Sequence, residues 1–393
     1  MKKILLAVAC CAMTLLAQAN PAHKVKINDG LTVSVEACSG SIFRIKVSPR
    51  KDFTESLMER YELIKTDWSD VKTDISDKGG VWTLKTSEYS LAINKKTGVM
   101  TVKDAKGGNV IKEVRFLPEK EELCGTMRAF INEKYADLKV ADNGGGIIGD
   151  DNGKFGEVDK HEIPAADAVS ILSISMEDGE RFYGGGSTSR DHIQHRDEFL
   201  RMWTTYQQTE IPMPFMMSSR GWGVYNNSTR KSFFDIGNRR KDRFNIINTF
   251  DEADFFLMMG KDMPAILNEY TLVTGRTYVL PKWAYGLCFG PNMREEQFDI
   301  LNDAVRFRQF DVPCDVFWLE PQWMEKRYDF STKKKWNYDR FSPEPYWLQD
   351  QYPKTMHNRL FIGKLRSMGF HLGLWLCEEY DLSIQEEDII AER

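Results

Sequence analysis

Glu320 closes a short apolar run, Asp315-Val316-Phe317-Trp318-Leu319, and Pro321-Gln322-Trp323-Met324 follows it. Further on, Gly369-Phe370-His371-Leu372-Gly373-Leu374-Trp375-Leu376 repeats the design and ends beside Glu378 and Glu379. A carboxylate accepts hydrogen bonds and exchanges protons, while an indole offers a flat apolar face and one N–H donor. Such groups do chemistry only when a rigid element presents them together. Here the apolar runs, with turn residues at both ends, read as strands buried on both faces. Between them lie helical spacings: Phe298, Leu301 and Val305 in one segment, then Met356, Leu360, Phe361, Leu365 and Met368. Strand, helix, strand, helix, strand predicts a parallel α/β sheet or barrel. The C-terminal ends of its strands, where Glu320, Trp323, Trp375 and Glu378 fall, are where barrel enzymes carry their active sites.

The preceding sequence reads differently. From Lys24 to about Met176 apolar residues alternate with period two: Leu31, Val33 and Val35 share one strand face, and Phe43, Ile45 and Val47 the next. Tyr89, Leu91 and Ile93 lead through Lys95-Lys96-Thr97-Gly98 into Val99–Val102, a hairpin signal. Short strands spaced by turns predict a β-sandwich. Glu180-Arg181-Phe182-Tyr183-Gly184-Gly185-Gly186 is expected to be a loop projecting from it, because no helix pattern follows the glycines. Ile211–Phe215, Gly221–Tyr225, Ser232–Asp235 and Ala253–Met258 read as further sandwich strands. Pro264–Thr274 reads as a helix that Gly275 stops, which places the domain boundary between residues 275 and 276. The domain expectation is therefore a sandwich over 20–275 and barrel units over 276–393.

Composition narrows the classes. The 393 residues, 42% hydrophobic and 28% charged, suit a globular protein of two or three domains. A net charge of −5 without a basic stripe argues against a nucleic-acid partner. Aromatic residues at 12% suit a saccharide cleft, though a β-rich core accounts for them equally. Lys2 and Lys3, the apolar stretch Ile4–Leu16 and Ala17-Gln18-Ala19 have the form of a signal peptide over 1–19, too short to be a transmembrane segment. Export to the periplasm or medium is the expectation, with lipidation at Cys10 or Cys11 the alternative. Cys38, Cys124, Cys288, Cys314 and Cys377 lie beyond the leader, and the last three are expected as small buried fillers. No cofactor or metal site is expected: there is no CxxC, and His192 and His195 lack a helical context. Asn226 and Asn227 fit glycosylation sequons.

Six stretches in order, Arg181–Gly186, Ile211–Phe215, Gly221–Tyr225, Thr274–Arg276, Leu280–Ala284 and Trp318–Glu320, resemble glycoside hydrolase family thirty-one, the α-glucosidases and α-xylosidases. The resemblance runs from Gly179 onward. It implies a galactose-mutarotase-like β-sandwich followed by a (β/α)8 barrel, incomplete in this chain, and retaining hydrolysis of terminal α-linked sugars. It implies that Glu320 stands where many members place an aspartate that binds sugar hydroxyls. Glutamate reaches one methylene farther, so the usual glucose preference is not carried over. Trp323 and Trp375 become candidate sugar-stacking rings, Glu378 a second polar contact, and residues 184–196 a loop over the barrel mouth. The family's nucleophile and acid/base, on later strands, match no residue up to Arg393, so the chain alone is expected to be inactive. The alternative is a non-catalytic carbohydrate-binding or scaffold protein from a shortened gene. An unrelated barrel enzyme fits less well, because no Ser/His/Asp or metal constellation is visible.

Overall fold

Alternation builds strands where one face meets a core, and the first sixteen strands pair entirely antiparallel. The structure is a computed structural model that describes residues 21–28, 30–68, 71–134, 169–187, 192–203, 211–326, 329, 333–341 and 361–376. The leader, Cys377 and Glu378 lie outside the described residues. Two compact units emerge, one running to Thr277 and one starting at Tyr278.

The first unit opens with β1 (His23–Lys26), β2 (Thr32–Ala37), β3 (Ile42–Ser48), β4 (Asp74–Lys78), β5 (Val81–Lys85), β6 (Tyr89–Asn94), β7 (Met100–Asp104) and β8 (Asn109–Leu117). It continues with β9 (Ser170–Ser175), β10 (Phe182–Ser187), β11 (Phe199–Met202), β12 (Ile211–Ser218), β13 (Trp222–Asn226), β14 (Ser232–Ile236), β15 (Arg243–Asn248) and β16 (Ala253–Met259). A seven-stranded sheet, β1-β2-β3-β16-β13-β12-β10, faces a nine-stranded one, β11-β14-β15-β9-β8-β7-β6-β5-β4. Val33, Val35, Ile45 and Leu257 from one sheet share a core with Leu84, Leu91, Ile174 and Phe244 from the other. The hairpin stands as expected, with Ile93 opposite Met100 and Gly98 at φ 71°.

The outer faces are apolar too, which accounts for unbroken runs such as Phe255–Met259. Among the described residues three helices belong to this unit: α1 (Leu57–Arg60), α2 (Glu122–Lys134) and α3 (Met263–Thr274). Met127 and Ile131 of α2 cover Ile171, Phe233 and Ile247 on the nine-stranded sheet. Ile266 and Val273 of α3 cover Phe256 and Met258 on the other sheet. Asp262 caps α3 by accepting from the Ala265 N–H at 2.9 Å, and Gly275 ends it. The purely β reading of residues 24–176 is therefore corrected: it overlooked α1, which has a Ser56–Glu59 capping box, and α2.

The glycine-rich stretch is also corrected. Phe182–Ser187 is strand β10, with a register shift between Gly184 and Gly186 against β12. Gly186 has φ 72°, and a Cβ there would meet the Met213 nitrogen at 2.7 Å. The glycines serve a bulge pressed against a neighbouring strand, not a free loop. Glu180, fully buried, anchors the preceding turn by accepting from the Ser218 hydroxyl and from Trp222 Nε1 at 2.8 Å.

The second unit contains β17 (Cys288–Phe289), α4 (Gln297–Gln309), β18 (Val316–Leu319), α5 (Phe361–Ser367) and β19 (His371–Leu374). The strands are parallel in the order β17-β18-β19. Phe317 and Leu319 pack with Ile300 and Ala304 of α4 and with Phe361 and Leu365 of α5. The stripe of α4 is centred one residue away from its expected position, and Phe298 is 68% exposed. Phe361 and Leu365 fulfil the second helical spacing, whereas Met356 and Leu360 lie outside the described residues. The expectation of strands buried on both faces is corrected, since Cys288, Trp318 and His371 are exposed among the described residues. Among the described residues the helix-facing side is the more fully covered one, and on the other side Trp283 stacks on His371 at 3.7 Å. Cys288 is accordingly no buried filler, while Cys314 is buried as expected. Among the described residues no helix is long and apolar enough to cross a membrane.

Candidate functional site

Alternation along β18 decides where Glu320 points. Phe317 and Leu319 face the helices, so Val316 and Trp318 take the opposite face. Glu320 continues the strand in extended backbone, φ −68° and ψ 174°, and so shares the side of Trp318. A Cβ built on Gly290 would stand 3.9 Å from Glu320 Oε1, so the carboxylate lies across the residue that follows β17. Gly373, opposite Trp318 in register, performs a related service: a Cβ there would stand 2.6 Å from the indole. Glycine inside an apolar strand signals close approach, and that signal was available in the sequence. Trp318 itself is 37% exposed on this face.

Pro321 then starts a 3₁₀ turn, Pro321–Trp323, at a position that needs no N–H. The Trp323 N–H donates to the Glu320 carbonyl at 3.2 Å, and Met324 donates to Pro321 at 3.1 Å. Trp323 is 7% exposed, and its Nε1–H donates to the carbonyl of Trp375 at 2.7 Å. Trp375 donates its own backbone N–H to Leu319 at 2.7 Å. The ends of β18 and β19 are thereby tied twice. The Trp323 ring packs 5.9 Å from that of Trp336, whose Nε1–H donates to Phe341 O at 2.5 Å. Asn337 closes the arrangement, donating its backbone N–H to the Trp323 carbonyl at 2.8 Å. Trp336 and Asn337 were not singled out from sequence, where they sit in a charged stretch without periodicity.

The structure thus brings Glu320, Trp323 and Trp375 together at neighbouring strand ends, with Trp323 committed to packing and Trp375 half-buried. Glu378 is outside the described residues. Gln322, between Glu320 and Trp323, is 3% exposed, and neither its Oε1 nor its Nε2 has a hydrogen-bond partner among the described residues.

Elsewhere, His195 Nδ1 lies 2.8 Å from Glu198 Oε2, while His192 is 3.9 Å from the same carboxylate. Among the described residues no group of three or more His, Cys, Asp or Glu side chains could hold a metal ion. Asn226 and Asn227 are buried, their amides bonded to Asn248 and to Asp254 and Ser56, so neither sequon is open to modification.

Comparison with known proteins adds to this geometry. Residues 32–235 match the family profile described as the glycosyl hydrolase 31 N-terminal galactose mutarotase-like domain, and residues 277–381 match the glycosyl hydrolases family 31 TIM-barrel domain. An alpha-xylosidase of Emericella nidulans is 23% identical over 240 residues, 59% of this chain and 28% of the relative. One from Saccharolobus solfataricus is 26% identical over 202 residues, 48% of this chain and 26% of the relative. The chain thus spans about a quarter of the length of these curated relatives. Among solved structures, a Flavobacterium johnsoniae family 31 dextranase complexed with glucose aligns with a TM-score of 0.66 at 17% identity, covering 95% of this chain and 40% of that one. A family 31 alpha-xylosidase from a soil metagenome, complexed with xylose, gives 0.66 at 15% identity, covering 95% and 48%. At these identities the structures speak for the fold.

Proposed function

Because the chain belongs to glycosyl hydrolase family 31, we propose that it forms the front portion of an exported retaining α-glycosidase acting on terminal α-linked sugars. The observation that carries this reading is Glu320 on the open face of the parallel sheet, at the C-terminal end of β18, over a glycine that leaves space beside its carboxylate. Barrel enzymes bind their substrates at that end of the strands. Glu320 accepts hydrogen bonds from hydroxyls of the innermost sugar, Trp375 lines the same pocket, and Glu378 supplies a second polar contact. Trp323 acts through the other two by fixing the strand ends. The relatives named alpha-xylosidase and alpha-glucosidase favour a pentose or hexose α-glycoside as substrate. Export rests on Lys2, Lys3, the apolar Ile4–Leu16 and Ala17-Gln18-Ala19.

Retaining hydrolysis needs two carboxyl groups about 5–5.5 Å apart, one attacking the anomeric carbon and one protonating the leaving oxygen. These two roles are assigned to no residue of this sequence. The test is turnover of aryl α-xyloside and α-glucoside by the full-length protein and its Glu320→Gln variant. Turnover by the parent with a loss of about a hundredfold or more in the variant is expected, as when a substrate-positioning group is removed. Unchanged kinetics would take Glu320 out of the site, and a parent inactive on every α-glycoside would refute the function.

A further inference from the structure

The nine-stranded sheet ends on β4, and this edge differs from the other three edges of the sandwich. Strands β1, β10 and β11 each bury at least one residue, whereas all five residues of β4 are exposed. Ile75, which lies opposite the core residue Leu84, is 45% exposed. An edge strand offers unpaired N–H and C=O groups to any further strand, and proteins commonly guard it with charge. Strand β4 carries Asp74, Asp77 and Lys78. Such charges repel an incoming strand only where they meet their own sign, and opposite signs favour the pairing. Which residues would meet is therefore decisive.

The hairpin answers this. Gly79 and Gly80, both at positive φ, make a two-residue turn, so Lys78 and Val81 form a hydrogen-bonded pair. Residues 74, 76 and 78 thus direct their backbone groups to β5, and Ile75 and Asp77 direct theirs outwards. A second β4 running antiparallel must meet those outward groups with its own Ile75 and Asp77. Setting Asp77 against itself opposes like charges, and setting Ile75 against itself brings Lys78 against Lys72. The register between these two sets Ile75 against Asp77 twice, with Ser76 facing its own copy on a two-fold axis. It also sets Asp74 of each copy against Lys78 of the other, in non-hydrogen-bonded pairs where side chains come closest. Asp74 and Lys78 make no ion pair among the described residues, while Asp77 is held by Lys95 at 2.7 Å. We propose that β4 is a homodimer interface, at which two copies of this chain join their nine-stranded sheets edge to edge about Ser76. The partner is a second copy because Asp74-Ile75-Ser76-Asp77-Lys78 is complementary in charge to itself in the register its backbone allows. The two Ile75 side chains lie diagonally across the axis on the core side and shield one another.

Sedimentation velocity of the full-length protein over a concentration series should show a monomer–dimer equilibrium. Asp74→Lys and Lys78→Asp each turn both cross-axis pairs into like-charge pairs, and each should raise the dissociation constant about tenfold or more. The double variant Asp74→Lys/Lys78→Asp restores opposite charges and should return to within about threefold of the parent. A covalent readout checks the register. Ser76 and its copy would stand with Cα atoms about 4.5 Å apart, within disulfide reach. Ser76→Cys should therefore cross-link under mild oxidation, while the parent and Thr83→Cys, one strand farther from the axis, should not. A parent that stays monomeric up to about 0.1 mM overturns the proposal. So does a dimer that the single reversals leave unchanged, or a double variant as weak as the singles. Cross-linking of Ser76→Cys no faster than that of Thr83→Cys would equally overturn it.

Discussion

Trp323→Phe removes one polar atom from the point where β18 and β19 are tied. The indole N–H donates to the Trp375 carbonyl at 2.7 Å in a setting where Trp323 is almost wholly buried, and Trp375 in turn donates to Leu319. Withdrawing a donor from a buried carbonyl costs about 1–3 kcal/mol. The smaller ring also leaves a partly filled space beside Trp336, adding about 1 kcal/mol. The loss at this junction should therefore be roughly 2–4 kcal/mol. Amide exchange reads it locally. At about 1.36 kcal/mol per decade, the Trp375 N–H should exchange roughly 30- to 900-fold faster in the variant. Amides at the centre of the sandwich, such as Ile246, should be unchanged. Because the turn carries Glu320, displacement there should also lower kcat/KM in the full-length protein. Exchange at Trp375 indistinguishable from the parent would refute the bracket and the positioning role given to Trp323.

Other consequences concern the scaffold. Phe317 is fully buried against Phe289, Phe307 and Phe370, with ring centroids 5.4, 5.7 and 4.8 Å away. Phe317→Ala should cost about 3–5 kcal/mol, and a denaturation midpoint for the second unit equal to the parent's would contradict its packing. In the sandwich, Arg44 pairs with Glu59 at 2.7 Å and Asp254 at 2.5 Å, and Lys46 joins Glu59 at 3.1 Å. Burial pushes the Glu59 carboxyl upward, but the bonds and charges of Arg44 and Lys46 outweigh it and hold the group down to about 2. Its folded value is below the ordinary one of 4.5, so this stabilisation is complete above pH 4.5 and drains away as pH falls towards 2. Allowing for screening at the exposed edge of the carboxylate, Glu59→Gln should remove about 1–3 kcal/mol at pH 6 and progressively less towards pH 2. A stability difference independent of pH in urea titrations would refute the pairing. Gly186→Ala places a Cβ against the Met213 nitrogen at a backbone angle that disfavours alanine, so β10 and β12 should lose amide protection. Unchanged protection there would rule the bulge out.

Much of this architecture could be read from residue types. Phe43, Ile45 and Val47 alternate because one strand face meets the opposite sheet, and Pro264 and Gly275 bracket α3 because each fits only one end of a helix. The carboxylate at the end of β18 was visible for the same reason, since an apolar run must stop where it leaves the core. Other features depended on tertiary partners. Leu123, Met127, Phe130 and Ile131 of α2 have helical spacing, yet strands surround them, and the sheet face they cover reveals itself only when folded. Gly184–Gly186 suggested a loop because glycine permits one, but the closeness of β12 is what demands glycine there. On α4, Phe298 looked like a core residue and is exposed, because the helix turns Ile300 and Ala304 towards Phe317.

The stereochemistry of the first product released from an aryl α-glycoside by the full-length protein tests the central claim most directly. Proton NMR in the first minutes of the reaction, before mutarotation, separates the two anomers of the free sugar. A retaining α-glycosidase releases the α-anomer, because the covalent intermediate inverts the centre twice. Initial accumulation of the β-anomer would contradict the account.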